Sequence, residues 1–114
     1  MSKRDFDRYY NDVQAQYNEM MAQLKNLTDV VNENMVSEDV IKNMTKLLEP
    51  IKQNYMTLSY VAFLLNKPVK KGKESRYKKQ NRKILDACGN RRDVDVLDEN
   101  RNCLESLKEE IDKI

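Results

Sequence analysis

From Phe6 onward, apolar residues recur at Phe6, Tyr10, Val13, Tyr17, Met20, Leu24, Leu27 and Val31, at intervals that alternate four and three without a miss. An α-helix brings residues three and four apart onto one face, so this spacing predicts a heptad seam along one long helix. Tyr10, Tyr17, Leu24 and Val31 take the a positions, and Phe6, Val13, Met20 and Leu27 take d. Asn34 falls at the next d and ends the pattern, so the first helix is expected over residues 3–34.

Residues 32–37 then supply a connection. Ser37, followed by Glu38 and Asp39, is a favourable N-cap with acids in the first turn, where they complement the helix dipole. Ile41, Met44, Leu48, Ile51, Tyr55, Leu58, Ala62 and Leu65 continue the three-four rhythm through a second helix. Pro50 sits inside that register, and because proline removes a helical hydrogen bond and crowds the preceding turn, a kink or a break just before it is expected. The short link predicts a long antiparallel hairpin of coiled-coil type. Folding about residue 35 would set Tyr10 near Tyr60, Tyr17 near Gln53 and Tyr55, and Leu24 opposite residues 44–47.

Two helices with single seams satisfy each other, yet this pair carries more. Tyr9, Met21 and Val30 on the first, and Leu47, Met56, Val61, Phe63 and Leu64 on the second, lie off the seams. Their cover must come from the C-terminal segment or from another protomer. Tyr60, Val61, Phe63 and Leu64 are the candidate apolar contacts for a protein partner, since a helix apolar on every side needs covering on every side.

Composition changes after Leu65. Residues 66–73 include Pro68, Gly72 and four lysines and read as a helix stop and loop. Residues 74–88 form a candidate short helix with a thin stripe of Tyr77, Ile84, Leu85 and Cys88, and Gly89 is placed to end it at C′. A last helix starts at Asp93 or Asp95 with Val94, Leu97, Cys103, Leu104, Leu107, Ile111 and Ile114 on one side, interrupted by Arg101. Two glycines and two prolines in 114 residues agree with an all-α fold. The expected organisation is a single domain in three parts: a helical hairpin over residues 1–66, a basic linker and short helix over 67–92, and an acidic C-terminal helix over 93–114.

Charge sharpens these boundaries. The overall +2 divides into −2 for residues 1–65, +9 for 66–92 and −5 for 93–114. Lys70, Lys71, Lys73, Arg76, Lys78, Lys79, Arg82 and Lys83 are therefore candidates for holding phosphate, with Lys67, Arg91 and Arg92 adding to the field. Gln80 and Asn81 are suited to base contacts and Tyr77 to stacking. The alternative is a solvated face that partly neutralises the acidic C-terminal helix. No helix-turn-helix, zinc-finger or RNP signature accompanies the charge.

Catalytic chemistry finds few materials. The chain has no histidine, which removes the usual general base and the commonest metal ligand. Cys88 and Cys103 lack metal or redox spacing and are expected as free thiols. Asp93, Asp95, Asp98 and Glu99 miss the EF-hand spacing and suit a helix start. Gly72 and Lys73 do not make a P-loop, because the first glycine is missing and Glu74 follows. No cofactor, metal or small-molecule substrate is expected. The charged N-terminus lacks the apolar core of a secretory signal, and no apolar run reaches membrane-spanning length, so an intracellular, cytoplasmic setting, or an assembly formed there, is expected.

These features lead to one principal expectation: a non-enzymatic helical assembly or adaptor protein that acts by self- or partner association. The alternative is an oligomeric nucleic-acid-binding protein using residues 67–92. A third reading, an inhibitor whose acidic last helix fills a basic cleft, has no residue that singles it out.

Overall fold

Ser2 opens the first helix: its hydroxyl accepts a hydrogen bond from the Asp5 backbone N–H at 3.0 Å, satisfying one of the donors a helix start leaves unpaired. The computed structural model describes residues 1–89 and 93–114. Their elements are all helices: α1 (Lys3–Glu33), α2 (Asp39–Leu47), α3 (Glu49–Leu65), α4 (Glu74–Gly89) and α5 (Asp93–Asp112).

α1 ends as its seam predicts, within a residue of Asn34. Met35 turns the chain with φ of 52°, and the Val36 N–H returns to the Val31 carbonyl at 3.1 Å, which is the six-to-one bond of a Schellman ending. Val36 packs on the core cluster that holds Val31. A left-handed conformation costs an L-residue on the order of 1 kcal/mol, and Met35 is 93% exposed, so it has little packing to lose. Met35→Gly is therefore expected to raise stability by about 1 kcal/mol, seen as a rise of roughly 5 °C in the thermal midpoint.

The N-cap of α2 is Glu38, one residue past the expected Ser37, whose hydroxyl still accepts from the Asp39 N–H at 3.3 Å. The expected interruption at Pro50 is a true break: α2 stops at Leu47, and Pro50 enters the first turn of α3, where its missing N–H costs nothing. Leu48 lies between the two helices with φ −95° and ψ 0°. The seam continues across the break, because Leu48 and Ile51 are 2% and 0% exposed.

The packing is a bundle of α1, α3 and α5, with α2 extending the α3 side. One core cluster joins Met20, Leu27 and Val31 of α1 to Leu48, Ile51, Leu104, Leu107 and Ile111. The other joins Phe6, Tyr9 and Val13 to Leu58, Leu65, Leu85 and Val96. From this order α3 runs antiparallel to α1, whereas α5 runs parallel to it. The d row of α1 is buried throughout, while Tyr10, Tyr17 and Leu24 of the a row are half-buried. A further row, Tyr9, Gln16, Gln23 and Val30, is buried or half-buried on the other flank. Three rows exceed a two-stranded seam and fit a helix with two partners.

Tyr17 stacks on Tyr55 at 4.2 Å between ring centroids, as the hairpin register predicts. Tyr10 instead meets Tyr55 at 6.2 Å and pairs its hydroxyl with Ser59 at 3.2 Å, not Tyr60. Tyr60 lies one helical step from Ser59, which turns it about 100° away from α1. The seam expected for α5 also shifts: Val96 is buried at 1% and Val94 is exposed at 50%.

Between the two clusters lies a polar layer with one residue from each main helix. Asn54 Nδ2 donates to Asn100 Oδ1, and Asn100 Nδ2 donates to Gln16 Oε1, both at 2.9 Å. Gln16 Nε2 continues to the Leu97 carbonyl at 2.9 Å. Asn100 is fully buried, and its hydrogen bonds compensate the loss of water.

α4 attaches by its C-terminal half. Leu85 is buried, and Ile84 and Cys88 pack on the cluster around Phe6. Gly89, which the sequence places at C′ just past the helix, is instead the last residue of α4, and its φ is not positive. A Cβ there would meet the Met1 nitrogen at 3.2 Å, so glycine permits the chain start to approach.

Candidate functional site

Every residue from 66 to 76 is exposed, and half-burial resumes only at Tyr77. The loop of residues 66–73 runs beside the start of α4, where Val69, Tyr77, Asn81 and Leu85 line one shallow cleft. The long axis of the molecule is 62 Å. That exceeds the roughly 46 Å that 31 helical residues span. The loop and the first half of α4 lie at the end beyond Leu65.

This arm carries Lys67, Lys70, Lys71, Lys73, Arg76, Lys78, Lys79, Arg82 and Lys83, all exposed. On α4 they surround the half-buried row of Tyr77, Asn81, Ile84 and Cys88. Lys78, Lys79 and Arg82 border the cleft on the loop side, and Arg76 and Lys83 flank the α3 side, by the 100° step of the helix. Among the described residues one ion pair involves these cations, Arg82 to Asp86 at 3.3 Å, with both side chains more than half exposed. None joins the arm to α5 among the described residues, where Arg101 pairs with Asp98 and Lys113 with Glu110.

Glu74 is the acid inside the basic run, and its charge is already engaged. Its carboxylate accepts from the Gly72 N–H at 3.2 Å. Hydrogen bonds from its own backbone N–H, and then from that of Gly72, hold its pKa below the ordinary value. Gln80 is exposed as a base contact requires, but Asn81 and Tyr77 are half-buried in the cleft, which withdraws Tyr77 from open stacking. Arg91 and Arg92 lie outside the described residues.

A second surface adjoins the arm. Met56, Tyr60 and Phe63 lie in one strip on α3, exposed by 54%, 63% and 62%. Of the four apolar candidates, Tyr60 and Phe63 are thus open, whereas Val61 and Leu64 are half-buried. Val61 packs on the cluster around Phe6, and Leu64 helps to wall a groove between α3 and α4. Tyr60 stands at the lip of that groove, across from Ile84, Ala87 and Cys88. The Lys67 ammonium lies 5.6 Å above the Phe63 ring centre. Off-seam position pointed to Phe63; its pairing with Lys67 follows from the i, i+4 spacing across the end of α3.

Both cysteines are free, and burial raises the pKa of each thiol. Cys103 is raised further by Glu99. A raised pKa disfavours the thiolate that nucleophilic or metal chemistry uses. Among the described residues no acid or thiol cluster has the arrangement of a metal site, and no helix is long and apolar enough to cross a membrane. No protein-family model, curated protein or solved structure matches the chain.

Proposed function

We propose that this chain is a non-enzymatic helical binding protein that holds the phosphate backbone of a nucleic acid on its basic arm. The observation that carries the reading is the concentration of exposed positive charge, of which, among the described residues, Arg82 alone makes an ion pair. Nine lysines and arginines between residues 67 and 83 are exposed, and the acid among them is bound to backbone amides. Concentrating like charge opposes folding, and a polyanion relieves it while releasing its own counterions. A purely solvated face would gain from carboxylates interleaved at i, i+4; Glu74 has that spacing to Lys78 but is bound to the Gly72 N–H, and among the described residues Asp86 alone pairs with an arm cation.

The test is anisotropy of a labelled oligonucleotide of about twenty nucleotides against the full chain as salt rises. Five contacted phosphates give a logarithmic slope of about −3.5 on a single strand and −4.5 on a duplex. Affinity should then fall on the order of 100- to 500-fold between roughly 50 and 200 mM salt. Absence of binding at low salt, or binding indifferent to salt, would remove the reading.

A second reading is self-association through the α3 strip, supported by the exposed Tyr60 and Phe63 rings. It is the weaker of the two because α4 and α5 take up much of the apolar excess of the hairpin, including Tyr9, Val30 and Val61. The three exposed strip residues offer much less than the roughly 800 Å² per partner of a standard interface. This reading expects a dimer mass in solution that survives high salt and reverts to monomer mass on Phe63→Asp. A wild-type mass that is monomeric at all protein concentrations would dispose of it.

A further inference from the structure

We infer that the nucleic acid is single-stranded, and that Tyr60 and Phe63 are the platforms on which its bases stack. This rests on the nucleic-acid reading above and narrows it to one class of ligand.

The basic arm alone serves any polyphosphate; the neighbouring rings decide the class. Surfaces that take single strands combine a cationic track for the backbone with open aromatic faces, because unpaired bases offer their π-faces as well as their phosphates. A duplex keeps its bases stacked inside and gives Tyr60 and Phe63 nothing to contact unless they enter a groove. Their helix, α3, is anchored along its opposite side by Ile51, Leu58 and Leu65 and so does not present the free recognition helix of a duplex reader.

Position supports the same assignment. Tyr60 and Phe63 are three residues apart on one helix, which sets their Cβ atoms about 5–6 Å apart, within the reach of successive splayed bases. Cations lie on both sides of them. Lys67 sits at the Phe63 ring. Across the groove from Tyr60 is Ala87, and Lys83 lies one turn before Ala87 on that side of α4. A strand laid on this strip therefore meets two rings bordered by cations, Lys67 at the end of α3 and Lys83 on the α4 side. Tyr77, the aromatic within the arm itself, is turned into the cleft beside Val69 and Leu85 and is not part of this surface. An anionic membrane suits the arm less well, since the exposed large apolar residue of the arm is Val69 alone.

The experiment compares full-length protein binding to labelled oligothymidine and to a duplex, both of about twenty residues, with vesicles containing phosphatidylserine as a third ligand. The single strand should bind at least roughly tenfold tighter than the duplex and tighter than the vesicles. Tyr60→Ala with Phe63→Ala should weaken oligothymidine binding roughly 10- to 100-fold, while the salt slope stays unchanged and duplex binding moves little. Lys79→Gln, Arg82→Gln and Lys83→Gln together should instead reduce the slope by about 2. All five positions are exposed, so helical circular dichroism should remain that of the parent. Duplex binding equal to or tighter than single-strand binding overturns the inference and leaves the nucleic-acid reading standing. So does an unaltered affinity of the aromatic variant. Absence of binding to both nucleic acids removes both, and preference for vesicles reassigns the arm to lipid.

Discussion

Leu107→Ala should lower the free energy of unfolding by about 3–5 kcal/mol, whereas Val94→Ala, more than three turns upstream on the same helix, should change it by no more than about 0.5 kcal/mol. Leu107 is fully buried among residues of α1, α2 and α3, so shortening it removes dispersion contacts and leaves a cavity that neighbouring helices close only in part. Val94 is half exposed. A chain of 114 residues has a total stability of roughly 6–17 kcal/mol, which makes the first loss a large fraction of the whole. Urea unfolding of the two variants measures both numbers. If the Leu107 variant loses no more than the Val94 variant, α5 does not seal the core in the manner described.

Asn100→Leu should cost about 2 kcal/mol even though it adds apolar surface to a buried position. The loss arises at the partners: Asn54 loses its acceptor and Gln16 loses its donor inside the bundle. Asn54→Leu alone should also destabilise, but the double replacement should recover part of the loss, because a buried polar pair exchanged for apolar groups leaves fewer polar atoms stranded. The resulting coupling energy is read from the four unfolding curves of a double-mutant cycle. Near-additive losses would show that the hydrogen bond contributes little. The layer also has a specifying role, since sliding α5 by one turn against α1 and α3 would bury Asn100 among apolar side chains. The double variant should accordingly show broader amide resonances.

Much of this fold is legible along the chain. Alternation of three and four from Phe6 to Val31 locates α1, Ser37 and Pro50 locate the boundaries of α2 and α3, and Pro68 and Gly72 mark the exit from the bundle. These signals are local: each depends on residues within one or two turns. The nearness of Tyr17 to Tyr55 was legible too, because a short connection leaves an antiparallel return as the direct route. The pairing of Tyr10 with Ser59 was not, since folding about residue 35 fixes the register only to within a residue, and one residue along a helix is a rotation of about 100°.

The candidate site divides in the same way. The basic arm is a property of composition, readable as +9 in residues 66–92. That none of its described cations between residues 67 and 83 pairs with α5 is not, because opposite charges on two segments pair only if their helices approach. Likewise the apolar residues from Tyr60 to Leu64 form one run in sequence, and packing alone separates Val61 and Leu64, turned toward the core and groove, from Tyr60 and Phe63, left open.

By itself, then, the sequence determined that this protein is all-α, roughly where its helices begin and end, and where its charge lies, because helix periodicity, capping and proline geometry act over a few residues. The tertiary structure alone decided that α5 completes the hairpin as the third side of a bundle, that Asn54, Asn100 and Gln16 meet, and that two aromatic rings stand beside the basic arm. Those outcomes depend on the axial register and rotation of helices far apart in the chain, which are set by how whole faces fit together.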